Sequence, residues 1–360
     1  MEIKNPRILM VRLGAIGDVI RTLPALRALR NNFPDAYIAW VVEDRAASLL
    51  INHPDLNKVF VVPRKEWQQN SLNLKTFREF VRFIQSLRKE AFDLVLDFHG
   101  LLKSGLITFL TGVKRRVGYA RKFSKEGNFL FTNDQVSLPD YKINRVEKNL
   151  LLVKHLGLRI DEYNPLIPIT EKDREFVTSA IFSRLTASFG PKVIMHPGSS
   201  PSTPYKRWDL SRFARLSDRI IQKYSGNILF TAGNDERELV NNIFKQMTEP
   251  RHVLCQTETL TQLAEVIRRC DLFIGNDTAP MHLAAFVGTP VIALFGPTDP
   301  IENAPFGKEE SIVIRKDVSC NPCRIRECQN LSCMDSISVE DVLEAVDRVL
   351  LHKGFNPNPR

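Results

Sequence analysis

Short apolar runs alternate with longer segments in which apolar residues recur every three or four positions. Arg7–Leu13, Tyr37–Val42, Lys58–Val62 and Asp93–Phe98 have the length and content of buried strands. Between them, Ile20, Leu23, Leu26, Leu29 and Phe33 share one side of a helix, and Leu74–Arg88 reads as an amphipathic helix. The pattern then restarts. Lys192–His196, Asn227–Thr231, Leu272–Gly275 and Val291–Phe295 read as strands, and Leu210–Lys223, Glu236–Met247 and Met281–Val287 as helices. Such alternation predicts parallel βαβ units in both halves, without any sequence repeat between them. The stretch Arg159–Asp173 carries two prolines and little periodicity, so it reads as a linker. The expected domains are 1–165 and 173–337. A last helix, 338–352, opens on a capping box of Ser338 and Asp341. One face of it is Val339, Val342, Leu343, Val346, Val349 and Leu350, expected to pack back toward the first domain, and Gly354–Arg360 is expected to fray.

Composition narrows the class. The 360 residues, 43% of them hydrophobic, suffice for two packed cores. No apolar run approaches the roughly 20 residues of a membrane span, and the first residues lead straight into a strand pattern, so a cytoplasmic location is expected. Lys and Arg number 50 against 41 Asp and Glu, a formal charge of +9, which favours anionic partners. No nucleic-acid-binding motif is present, so nucleic acid is not an expected partner.

Four segments carry candidate chemistry. In Arg12–Ile20, RLGAIGDVI, Gly14 and Gly17 permit a tight strand-to-helix turn whose open amides suit an anion. The segment lacks GxGxxG and the P-loop lysine. Asp18 lies in the first turn of the next helix, either as an N-cap or as a general base at a ligand crevice. His196–Leu210, HPGSSPSTPYKRWDL, is a loop of small residues and prolines that ends in Lys206 and Arg207, cations suited to a pyrophosphate. In Thr231–Leu239, Glu236 and Glu238 either complement a helix dipole or accept hydrogen bonds from a ribose. Gly275–Pro300 brings two strand ends and a helix start together at Asp277, Thr278, Ala279, Pro280 and His282, as a nucleotide diphosphate requires.

Together these segments, with DLVLDFHGLLKSGL in the middle, resemble the bacterial heptosyltransferases of glycosyltransferase family nine through nearly the whole chain. The resemblance implies a GT-B fold: α/β, with two Rossmann-like, doubly wound parallel-sheet domains facing across a cleft. It implies inverting transfer of heptose from ADP-heptose to the lipopolysaccharide inner core without a catalytic metal or cofactor. On the matching positions Asp18 is the general base. Lys206 neutralises the diphosphate, and Ser199, Asp277, Thr278, Ala279, Pro280 and His282 line the donor pocket. Glu236 or Glu238 holds the ribose. Gly17, Arg64, Lys103 and Arg121 face the acceptor, and the basic run Lys114–Lys125 is offered to acceptor phosphates or to the anionic inner leaflet, giving a peripheral membrane enzyme. Family members commonly have glycine in place of Ala279, whose methyl restricts positive φ.

Cys320, Cys323, Cys328 and Cys333 have a spacing suited to structural zinc or an iron–sulfur cluster, or to reduced or redox-paired thiols. Two other functions fit the same motifs: a UDP-sugar 2-epimerase on the same fold, and a non-catalytic sugar-nucleotide- or lipid-headgroup-binding protein.

Overall fold

In the computed structural model the chain forms two compact units, Met1–Pro168 and Ile169–Arg360, dividing inside the expected linker. The structure describes residues 5–69, 73–160, 164–186, 189–307, 309–323, 325, 328 and 330–358; residues 161–163 of the expected linker lie outside them.

The first unit holds six parallel strands: β1 (Arg7–Val11), β2 (Tyr37–Glu43), β3 (Lys58–Val62), β4 (Leu94–Asp97), β5 (Arg115–Tyr119) and β6 (Asp134–Val136). Their order is β3-β2-β1-β4-β5-β6. The second unit holds β7 (Lys192–His196), β8 (Asn227–Thr231), β9 (His252–Cys255), β10 (Leu272–Asn276), β11 (Val291–Phe295) and β12 (Ser311–Arg315). Its order, β12-β11-β10-β7-β8-β9, is the same topology. Central strands are buried on both faces, as in Ile8–Val11 and Val193–His196, which is why they read as continuous apolar runs. In each sheet the chain reverses its direction of winding beside the first strand, between β1 and β4 and between β7 and β10. Parallel sheets bind ligands at the carboxyl ends of the strands flanking such a point.

Helices connect the strands. Those of the first unit are α1 (Ile16–Ile20), α2 (Leu23–Asn32), α3 (Arg64–Gln69), α4 (Leu74–Lys89), α5 (Leu102–Leu110) and α6 (Arg145–His155). Those of the second are α7 (Glu171–Ala180), α8 (Leu210–Tyr224), α9 (Arg237–Phe244), α10 (Leu260–Arg268), α11 (Ala279–Phe286), α12 (Pro300–Asn303), α13 (Ser332–Asp335) and α14 (Val339–His352). The single helix expected from Ile20 to Phe33 is two, because Pro24 occupies the first turn of α2, where a missing amide costs nothing. The basic run from Lys114 is not a surface loop throughout. Its first half is β5, where Arg115 pairs with Asp134 at 2.8 Å and Arg116 donates to the Phe131 and Val113 carbonyls.

Helix α14 has the expected cap, with Ser338 Oγ accepting from the Asp341 amide. Its apolar face joins the core of its own unit with Phe213, Ile220 and Trp208. Asp347 fastens it to α8 by accepting from Lys223 and from the Tyr224 hydroxyl, each at 2.7 Å. Asp347→Ala removes both acceptors and should lower the stability of this unit by about 1–3 kcal/mol. Urea unfolding followed by Trp208 fluorescence checks this; an unchanged midpoint contradicts it.

Candidate active site

In the first unit, the chain leaves β1 through Arg12 and turns into α1. Asp18 is the third residue of α1, and the cap position is Ala15, so Asp18 is not an N-cap. Its carboxylate instead meets Arg12 at 2.5 Å, Arg21 at 2.6 Å and Arg145 at 3.6 Å. Burial alone pushes its pKa up, but Arg12, Arg21 and Arg145 outweigh burial and hold it far below the usual carboxylate range. The group is therefore ionised at every physiological pH.

Arg12 also donates to the Phe98 carbonyl, drawing the end of β4 beside this loop. There Asp97 holds the following turn. It accepts from the His99 and Gly100 amides at 2.8 and 3.1 Å, from Ser104 Oγ at 2.9 Å and from Asn128 Nδ2 at 2.7 Å. Gly100 has φ +70°, a conformation that explains the glycine in DFHG. Neither ring nitrogen of His99 has a hydrogen-bond partner among the described residues. Burial and the Arg12 and Lys103 cations push its pKa down to about 3, so the ring is neutral.

Glu43, buried at the end of β2, gathers a second set of cations: Lys103 at 2.7 Å, Arg64 at 3.2 Å and Arg45 at 3.2 Å. The structure thus brings Arg64 and Lys103 to one carboxylate and keeps Gly17 beside Asp18 in α1. Arg121 lies 5.5 Å over the Phe129 ring and is exposed.

The second unit gathers its candidate residues at the ends of β7 and β10. Asn276, at the end of β10, donates to the carbonyls of Pro197 and Gly198 at 3.0 and 3.1 Å and accepts from the Trp208 amide at 3.1 Å. This ties the loop after β7 to the end of β10. Lys206 meets Asp277 at 2.7 Å. Burial would raise the Asp277 pKa, yet Lys206 and His282 lower it overall. Thr278 is the extended N-cap residue of α11, and Ala279 and Pro280 form its first turn. Ala279 is helical, so its methyl brings no backbone strain. His282 is buried one turn on.

Glu236 and Glu238 separate clearly. Glu236 is buried, accepts from the Gly233 amide at 2.8 Å and lies 3.9 Å from His196. A Cβ on Gly198 would stand 2.2 Å from its carboxylate, so a side chain there would displace Glu236. Glu238 is exposed on α9. Next to Glu236, Arg237 lines a cavity of about 400 Å³ with Phe176, Arg184 and Glu258. The Ser199 hydroxyl donates to the Thr203 carbonyl at 2.8 Å and accepts from Arg207 at 3.0 Å, so it braces the loop.

The four cysteines of the cysteine-rich segment differ in exposure. Cys320 is exposed, Cys328 Sγ donates to the Asn330 carbonyl at 2.9 Å, and Cys333 is buried in α13 against Gly296. Burial and then the other three sulfurs raise the Cys333 pKa, so the thiols share a neighbourhood. Among the described residues no three His, Cys, Asp or Glu side chains form a group able to hold a metal.

Sequence reasoning missed Arg12, Arg21, Arg145, Glu43, His99 and Asn276. Arg21 follows Asp18 by one helical turn and Arg12 precedes it by six residues at the end of β1, so both are local in sequence; Arg145 and Glu43 arrive from distant segments. Lys148, one turn after Arg145, is similarly enclosed. Burial and then Arg12, Arg145 and Lys125 lower its pKa from 10.5 to about 8. Between about pH 8 and 10.5 the unfolded chain therefore binds more protons here, and stability should rise with pH through that window. Lys148→Met should remove up to about 1–3 kcal/mol of that rise, read from urea unfolding across the window. Equal pH slopes in the two proteins would show that Lys148 is solvated.

Comparison with known proteins agrees with both units. The sequence pattern of Glycosyltransferase family 9 (heptosyltransferase) matches residues 80–333. Lipooligosaccharide heptosyltransferase 2 of Campylobacter jejuni is 28% identical over 348 residues, covering 93% of this chain and 95% of that one. The crystal structure of a family 9 glycosyltransferase from Veillonella parvula superposes with a TM-score of 0.83 at 25% identity, over 98% and 99% of the two chains. E. coli heptosyltransferase WaaC, solved with ADP, gives a TM-score of 0.76 at 21% identity over 95% and 99%, a likeness of fold. The two Rossmann-like units are those of the GT-B fold, and the chain belongs to glycosyltransferase family 9, the heptosyltransferases, as a glycosyltransferase.

Proposed function

We propose that the chain transfers heptose from ADP-heptose to the lipopolysaccharide inner core, inverting the anomeric carbon, at the cytoplasmic leaflet of the inner membrane. The observation that carries this reading is the permanently ionised Asp18 among three arginines at the carboxyl end of β1. The names of the heptosyltransferase relatives support the sugar and the acceptor class, and the ADP in the WaaC structure supports the donor.

Asp18 acts as the general base. In the free protein its basicity is low, because both oxygens face guanidinium groups. An acceptor carrying carboxylates or phosphates competes for those same arginines, and each one it engages weakens the field on Asp18 and raises its proton affinity. A concerted displacement asks only for partial proton transfer as the sugar leaves. Neutral His99 beside the arginines has an unused nitrogen to accept from an acceptor hydroxyl. Leaving-group charge falls to Lys206 and to the amides that open α11. Lys206 already spans to Asp277, so diphosphate binding shifts it from a carboxylate to a phosphate. Glu236 takes the ribose, which puts the base within reach of the cavity that Arg237 lines. Cations at Arg64 and Lys103 hold the acceptor's anionic groups.

Asp18→Asn should abolish turnover while leaving donor affinity intact, since amide oxygens take no proton. Isothermal calorimetry with ADP-heptose and a turnover assay separate the two; full activity in this variant refutes the base assignment. Lys206→Ala should weaken donor binding by about 1–3 kcal/mol. Release of nucleotide from UDP-sugars without an acceptor, in place of ADP-heptose, would instead indicate an epimerase-like enzyme.

A further inference from the structure

Helices α4 and α5 carry apolar residues that the core does not cover. Ile84 and Leu87 of α4 pack on the core beneath, as Ile107 of α5 does. On α4 the exposed residues continue the line of Ile84 toward the helix start, and on α5 they lie on the side away from Ile107. On α4, Leu74, Phe77 and Val81 follow i, i+3, i+7 spacing; on α5, Leu102, Leu106 and Phe109 follow i, i+4, i+7 spacing, so each set forms one line along its helix. These side chains are exposed: Leu74 62%, Phe77 63%, Leu102 48% and Phe109 51%. Leu130, 72% exposed, extends the stripe from a turn that packs on α5 through Phe131 and Phe109.

The two helices lie on the same face of the sheet. Both crossovers, β3 to β4 and β4 to β5, step in the same direction, so right-handed connections place both helices on one side. Arg88 at the end of α4 donates to the Leu110 carbonyl at the end of α5 at 2.7 Å. The helices run antiparallel to the strands, so Leu74, Phe77 and Leu102 lie toward the rim that holds Asp18 and Glu43. Lys103, which reaches Glu43, directly follows Leu102.

Charge on this face is one-sided. Helix α4 has Lys75, Arg78, Arg82, Arg88 and Lys89 against the single acid Glu79. Arg78, Arg82 and Lys114 make no ion pair among the described residues. No described helix is long and apolar enough to cross a membrane. Paired apolar stripes bordered by long basic side chains are the chemistry of an element that lies in a lipid interface, rings and alkyl groups among acyl chains and cations among phosphates.

We propose that the outer face of α4 and α5, with Leu130, docks on a bilayer bearing anionic headgroups. This replaces the basic run after Lys114 as the main contact, since Arg115 and Arg116 are committed within the fold. It rests on the membrane setting of the proposed function but not on the sugar transferred. A bilayer there would keep the Asp18 rim next to the lipid surface.

Flotation of the full chain with vesicles of phosphatidylcholine, with and without phosphatidylglycerol, tests the proposal. The chain should float with the anionic vesicles and much less with the zwitterionic ones. Phe77→Ser with Phe109→Ser should lower the partition coefficient by about tenfold or more, because these rings are the largest apolar groups on the face. Both are exposed, so the variant should keep its thermal unfolding and its turnover on a lipid-free core oligosaccharide. Flotation is read without donor or acceptor, so its failure leaves the transfer reaction standing, and failure of ADP-heptose turnover leaves flotation standing. Three results would overturn the proposal: no flotation with either vesicle, flotation unchanged in the double variant, or light scattering that shows a dimer which the double variant dissolves.

Discussion

Within each sheet every strand runs the same way, and that constraint governs the rest. A parallel sheet must have both faces covered, so its central strands are apolar and its helices run back over them. All its strand carboxyl ends therefore emerge on one edge. Polar side chains have little place along the central strands and collect on that edge. In the first unit the loop at Arg12 and the turn at His99 lie on that edge, and in the second the loop from His196 and the turn at Asp277 lie on the edge of its own sheet, each beside the point where winding reverses.

Collecting charge on a partly buried edge has an electrostatic cost, met by pairing. Asp18 and Glu43 each sit among three cations, and Asp277 faces Lys206. Burial, together with the cations on the first unit's edge, pushes the pKa values of His99 and Lys148 down. Such an edge is held together in the free protein yet remains attractive to an anion, because the ligand's charge relieves repulsion among the cations. In the second unit the balance is closer to neutral, and attraction for phosphate comes from backbone amides at the start of α11 as well as from Lys206. The two units share a topology but differ in what their edges offer an anion, side-chain cations in one and a helix start with Lys206 in the other.

The outward stripes on α4 and α5 are at odds with the same economy. Elsewhere, as on α8, apolar residues face the core, and the sequence has no reason to repeat them on the solvent side. A face that is apolar and basic at once makes sense only when it meets something other than water.

From its sequence alone this protein discloses its central strands and its fold class, and it singles out the segment from Asp277 to His282 as a candidate site. Buried parallel strands are uninterrupted apolar runs, and Lys58–Val62, Lys192–His196, Asn227–Thr231 and Val291–Phe295 are observed with those very limits. The segment from Asp277 to His282 is contiguous, so its convergence is written in local order. The strands β5, β6, β9 and β12 are short or carry charge, and their pairing is decided by neighbours rather than by their own pattern. Only the tertiary structure could show that Glu236 is buried beside Gly198 and His196 while Glu238 is exposed, because those neighbours come from another strand end. Only it could place Arg145 against Asp18 or Lys103 against Glu43, pairs separated by tens of residues. Sequence periodicity reports which face of an element avoids water; which charged groups meet at a sheet edge is set by how the strands are ordered, and that order is a property of the whole fold.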